Sequence, residues 1–293
     1  MVVHGIGYAI VAALIWGSEL YILKRRFADL PAAVLTVCIN AAALLWYLPV
    51  AVVTLDVAAV PTVPELGVVG VGAILTAIGA TAMAFVLFLF AIAEGEVSYI
   101  APINKIAPVF VVPLEVVLLA ERLSPVQLLG VVVATLAVYV ANYRPGTGGL
   151  ASPFRRAAVS RPAQLALVSA VGFAAADFSR RVALQEAAVP TPAFVLLMLA
   201  GVLVVLVPMA YRTWRPVQNR LPELVALGAL VAVGEHTTSM AFSLVPASVA
   251  SPVVNTQAIV AVVLGGVLLG ERYFRIRLVA AVLAVVGVAL IAV

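Results

Sequence analysis

A small number of ionisable and amide side chains interrupt long apolar stretches of this sequence, and each implies a definite chemistry. Lys105 follows Asn104 and lies about one helical turn beyond Pro102, whose missing donor leaves neighbouring backbone groups available. An ammonium there would hold a carboxylate or phosphate as a flexible point charge, or would neutralise Glu19, Glu94 or Glu96. Glu19, with Tyr21 and Lys24 nearby, would bind a cationic group or a proton, or would only balance Lys105 or another base. Glu235 and His236 are adjacent, and both a buried carboxylate and an imidazole can change charge near neutral pH. With Glu19 they are the candidates for proton coupling. Neighbours on a helix point about 100° apart, so Glu235 and His236 do not form a ready-made pair. Asn255 and Gln257, flanking Thr256 after Ser251 and Pro252, would join Asn104 in reading an amino or carboxylate group, or would bond neighbouring helices. Trp16 and Tyr99, with Phe85, Phe88, Phe90 and Phe242, would supply apolar walls. Asp177, Arg180 and Arg181 share a helix face, where Asp177 compensates an arginine or exchanges ion pairs during gating.

None of these groups forms an enzyme motif. His4 and His236 are separated by most of the chain, and no G-x-x-x-x-G-K-[ST] phosphate loop is present. The single cysteine, Cys38, excludes an internal disulfide framework and a multi-cysteine metal site. No catalytic constellation, metal or cofactor is expected, and the reading is of a protein that is not an enzyme. The net charge of +4 is not arranged as a basic stripe interleaved with aromatics, so no nucleic-acid partner is expected.

The elements that must position these groups are membrane helices. Of the 293 residues 65% are hydrophobic and 10% charged, and mean hydropathy is +1.21, values that exclude a soluble globule. Charge-free runs bounded by Pro, Gly or charge predict spans at about 4–24, 31–53, 66–93, 98–119, 124–143, 162–184, 192–211, 222–244, 248–270 and 273–293. A tight turn at Val245–Ser248 separates the eighth from the ninth. The stretch from Arg144 to Arg161, with Pro145, Gly146, Gly148, Gly149 and Pro153, has the composition of a flexible linker. The chain thus divides into a five-helix unit at 1–145, a linker at 146–161 and a second five-helix unit at 162–293.

The two units match each other. Ser98 to Pro102 (S-Y-I-A-P) corresponds to Ser248 to Pro252 (S-V-A-S-P), and Leu118 to Arg122 (L-L-A-E-R) to Leu268 to Arg272 (L-L-G-E-R), at one fixed offset. An odd number of spans per unit makes the copies inverted, so the expected fold is an all-α integral membrane protein of ten transmembrane helices formed by two inverted five-helix repeats. With ten spans, 13 basic residues fall on one face: Lys24, Arg25, Arg26, Arg144, Arg155, Arg156, Arg161, Arg212, Arg215, Arg220, Arg272, Arg275 and Arg277. The other face receives Arg122, Arg180 and Arg181, and the positive-inside bias then places both termini outside.

The series Ala13-Leu14-Ile15-Trp16-Gly17 followed by Lys24, then Ser98 to Pro102, Pro108, Glu121, Arg122 and Gly130, with counterparts Pro252, Gly270, Glu271 and Arg272, resembles the drug/metabolite transporter superfamily, specifically its bacterial ten-helix EamA-type members. The resemblance covers essentially the whole chain. It implies a central cavity and secondary transport of small metabolites, often export of amino acids or related compounds, from a bacterial or archaeal plasma membrane. Trp16 is matched by Val171, and Asn104–Lys105 by Val254–Asn255, so the cavity is not chemically two-fold. The expectation is therefore an exporter of small polar metabolites such as amino acids, working by alternating access with proton coupling. An uncoupled facilitator and an integral-membrane enzyme or binding protein are the alternatives. Monomer and homodimer stay open.

Overall fold

The computed structural model describes residues 2–104, 106–107, 109–110, 124–142, 158–245, 247–270 and 273–291. These residues form α1 (Val2–Arg26), α2 (Ala32–Thr54), α3 (Val63–Glu94), α4 (Val97–Asn104), α5 (Pro125–Asn142), α6 (Arg161–Arg181), α7 (Thr191–Arg212), α8 (Leu221–Leu244), α9 (Ala247–Asn255), α10 (Gln257–Leu268) and α11 (Phe274–Ile291). A π-helical turn at Val182–Glu186 follows α6.

Local chemistry sets the ends of these helices. Lys24, Arg25 and Arg26 crowd the last turn of α1, where cations favour the helix dipole. Pro31 precedes α2 and Pro190 precedes α7, each in an extended conformation that a helix interior would not tolerate. At the start of α3 the Thr62 N–H donates to Glu65 Oε2 at 2.7 Å, satisfying a donor that the helix leaves open. Gly67, at φ 59°, kinks the first turns of α3 in a conformation that favours glycine.

Packing joins the two parts of the sequence. α1 lies against α8, α3 against α6, α2 against α7 and α8, and α5 against α11. One hydrophobic cluster therefore draws Leu23, Ile39 and Phe88 from before the 143–157 stretch, and Leu206, Leu224 and Val231 from after it. Its contacts rely on small residues: Ala77, Ala82, Ala163, Ala166, Ala170 and Ala174 are all fully buried, which brings helix backbones close where lipid offers no hydrophobic drive. The outward side carries Leu45, Val52, Val53, Val68 and Val204, all exposed, as a lipid-facing surface requires.

Two long-range bonds close helix ends. Lys24 Nζ donates to the carbonyls of Ile92 (2.5 Å) and Gly95 (2.8 Å), capping α3. Gln185 Nε2 donates to Phe242 O (2.8 Å) and Val245 O (3.3 Å), capping α8. The acceptors in each pair lie 150 residues apart, the same offset that relates the sequence motifs. One cap carries a full charge and the other does not. Lys24→Met is expected to cost about 1.5–3 kcal/mol and Gln185→Leu only about 0.5–1.5 kcal/mol, read as an ordered loss of thermal stability in detergent.

The expectation of ten transmembrane helices in two inverted five-helix repeats is overturned. Among the described residues six helices are long and apolar enough to cross a membrane: Val3–Arg26, Ala32–Thr54, Val63–Glu94, Arg161–Glu186, Thr191–Arg212 and Leu221–Leu244. In the run at 98–119 the described helix α4 has eight residues ending at Asn104, about 12 Å against a hydrocarbon layer of about 30 Å, and residues 111–119 lie outside the described residues. The run at 248–270 breaks at Thr256 into pieces of nine and 12 residues. Hydropathy had merged what the backbone interrupts. α5 and α11 reach 18 residues each, about 27 Å. With that count gone, the charge bias no longer assigns the termini to a face. Two of the tallied arginines, Arg180 and Arg277, are buried within the protein. Lys105, Pro108, Glu121, Arg122, Glu271, Arg272, Pro246 of the tight turn and residues 146–157 of the linker lie outside the described residues.

Candidate functional site

A cavity of about 140 Å³ opens among α1, α2, α3, α6, α7, α8 and the broken α9–α10 segment. At the roughly 30 Å³ that a water occupies in the liquid, that is room for about five waters, the scale of a small metabolite. Four ionisable side chains line it: Glu19 on α1, Asp177 and Arg180 on α6, and Glu235 on α8. Between them stand the hydroxyls and amides of Thr36, Asn40, Thr81, Thr238, Ser251, Asn255 and Gln257, and the rings of Trp16, Phe85, Phe88, Phe173 and Phe242.

α8 ties this site together, because successive helix positions point about 100° apart. Glu235 turns toward α6, where its Oε1 stands 2.7 Å from Arg180 Nη2, with side chains only 11% and 6% exposed. Arg180 Nη1 also donates to Ser239 Oγ at 3.1 Å, and its guanidinium lies 5.6 Å from the centre of the Phe194 ring. His236 turns the other way, toward α2, with Nδ1 2.9 Å from the Tyr47 hydroxyl. Thr238 faces α1: Trp16 Nε1 donates to its Oγ1 at 2.8 Å, and that hydroxyl donates on to Gly234 O at 2.8 Å. Three helices are thus held by residues within five positions of one another.

The sequence candidates separate into those on the cavity wall and those away from it. Trp16, Glu19, Glu235, Asn255 and Gln257 line the cavity. Asn255 is positioned by its own short helix, its Nδ2 donating to Ser251 O at 2.9 Å. His236 is off the wall, half-buried against Tyr47. Asn104 is fully buried away from it, donating to Ser169 Oγ at 2.9 Å, while the Ser169 hydroxyl donates to Ala84 O at 2.7 Å. This chain fastens α4 to α6 and α3. Tyr99 lies elsewhere, its hydroxyl 3.5 Å from Ser160 Oγ and its ring 5.5 Å from the guanidinium of Arg277, which pairs with Glu96. Lys105 lies outside the described residues.

Comparison with known proteins decides the family. The sequence model of the EamA-like transporter family matches residues 3–143 and again 161–293. The chain belongs to the EamA-like transporter family. It is accordingly a multi-pass membrane protein of a transporter family, not of an enzyme family. A solved crystal structure of another protein superposes with a TM-score of 0.70 at 16% identity, covering 98% of this chain and 94% of the other. At that identity the likeness speaks for the fold alone. No curated protein matches the sequence.

Within this EamA-like chain, sequence reasoning passed over Thr36, Asn40 and Thr81 on the wall. Thr36 and Asn40 carried a usable signal: they are polar residues four apart within the apolar run of α2, hence on one face. Asn40 Nδ2 donates to Thr36 O at 2.9 Å, so the pair is locally satisfied while still facing the cavity. Arg180, three residues from Asp177, makes its ion pair with Glu235 on another helix.

Proposed function

We propose that this EamA-like protein is a secondary transporter of a cell's plasma membrane, exporting small polar metabolites such as amino acids by alternating access with proton coupling. The observation that carries this reading is the central cavity, whose wall gathers Glu19, Asp177, Arg180 and Glu235 from three helices in a chain whose outer surface is apolar. Ionisable groups are costly within hydrocarbon, and a cavity lined by several of them is suited to polar cargo. Arg180 and Glu235 form the element able to respond to a proton. Protonation of Glu235 would remove one charge of the pair and loosen α6 from α8. The segment α9–α10 supports the same reading, since Asn255 and Gln257, on either side of Thr256, both line the cavity.

The test is counterflow of pooled, labelled polar metabolites in proteoliposomes, repeated under an imposed pH gradient. Saturable exchange that the gradient accelerates is the expected result, and Glu235→Gln is expected to keep exchange while losing its dependence on the gradient. Exchange indifferent to the gradient in the unaltered protein would make it an uncoupled facilitator. The absence of exchange for every metabolite would overturn the transport reading.

A further inference from the structure

We propose that a groove at the ends of α1, α3 and α7 binds an anionic phospholipid. The groove has a volume of about 560 Å³ and shares no lining residue with the central cavity. Arg212 and Arg215 line it where the chain leaves α7, and Lys24, the cap of α3, lines it from α1. Both arginines are exposed, and neither makes an ion pair or a hydrogen bond among the described residues. Asp29, the one carboxylate among the groove's described lining residues, stands 3.4 Å from Arg220 and so has a cation of its own. Two guanidiniums at one mouth suit a phosphodiester, whose oxygens match their forked donors.

The rest of the groove selects a lipid over a soluble anion. α1, α3 and α7 are each long and apolar enough to cross a membrane, so the ends that meet here lie at the level of the headgroups. Trp214, between the arginines and half exposed, is the amphipathic ring that this level favours. Leu23, Phe27, Leu89 and Ile92 give the groove a buried apolar lining, and Phe90 beside them is 40% exposed toward the outer surface. Acyl chains gain from that lining, whereas a free phosphate gains nothing from it. Basic pockets between membrane helices are suited to anionic headgroups for this combination of charge and apolar wall. The site does not depend on what the central cavity carries.

Native mass spectrometry of the delipidated, detergent-solubilised protein, with phosphatidylglycerol and phosphatidylcholine of matched acyl chains, tests this. Phosphatidylglycerol is expected to bind at least about fivefold more tightly than phosphatidylcholine. Arg212→Gln with Arg215→Gln is expected to bring that ratio to within about twofold. Arg25→Gln with Arg275→Gln removes the same charge from exposed arginines outside the groove and is expected to leave the ratio unchanged. All four side chains are exposed, so both double variants are expected to melt with the parent. Equal binding of the two lipids by the unaltered protein overturns the proposal, whatever the variants do. An equal loss in both double variants also overturns it, because it marks diffuse attraction to a basic surface rather than a site. Displacement of phosphatidylglycerol by inorganic phosphate at equal concentration would assign the groove to a soluble anion and overturn the lipid as its occupant.

Discussion

Arg180→Ala is expected to cost about 3–5 kcal/mol of stability and to reduce counterflow by more than about tenfold, because it strands Glu235. The carboxylate of Glu235 lies 2.7 Å from Arg180 Nη2 and its side chain is 11% exposed, so little solvent is at hand to replace the lost partner. Ser239 loses its donor in the same change. Removing both charges together removes the penalty: Arg180→Gln with Glu235→Gln is expected to melt well above Arg180→Ala, since neutral amides can bond each other and Ser239. Thermal unfolding of the single and double variants in detergent measures the difference. A double variant no more stable than Arg180→Ala would show that the pair is not a stranded-charge problem and that α6 and α8 are held by apolar packing alone.

The second large effect is steric. A Cβ built at Gly228 of α8 would lie 2.4 Å from Ala42 Cβ and 2.8 Å from both Ala42 C and Ala43 N of α2. Two of those atoms are backbone, which has no rotamer through which to yield. Gly228→Val is therefore expected to lose roughly 1–3 kcal/mol or more, against the gain of under about 1 kcal/mol that leaving glycine brings in a helix. It should also disturb the Tyr47–His236 bond, which joins the same two helices. Gly72→Ala is the matched control. Nothing lies within 4 Å of a Cβ there, so that variant should melt at the same temperature as the parent or slightly above it.

The positions of these two effects were not equally visible in the amino-acid order. Residence in a membrane was visible throughout: apolar runs bounded by charge or proline predict helices at 4–24, 31–53, 162–184, 192–211 and 222–244, and α1, α2, α6, α7 and α8 occupy those places within a few residues. Such runs respond to hydropathy and to terminal residues, both local properties. The same local character explains the failure at 248–270, where hydropathy continues across Thr256 although the helix does not. It also explains Lys24, which counts as an interfacial charge in the sequence and as the cap of α3 in the fold.

The site was legible as composition and illegible as arrangement. Glu19, Glu235, Trp16, Asn255 and Gln257 stand out because polar groups are rare in apolar runs, and they line one cavity. Asn104 and Tyr99 stand out for the same reason yet serve α4–α6 packing and an Arg277 contact. Rarity cannot distinguish a group that meets cargo from one that meets another helix, since both must be satisfied in the same solvent. By itself the sequence determined that this is a membrane protein of helices, with elements placed by hydropathy and with family features shared along the whole chain. Only the tertiary structure decided that six described helices have the reach to cross a bilayer, that Arg180 pairs with Glu235 rather than with its near neighbour Asp177, and that Glu235 and His236 face different helices. The reason is physical: a helix fixes the relative angle of its own side chains, but packing between helices far apart in the chain determines what each angle meets.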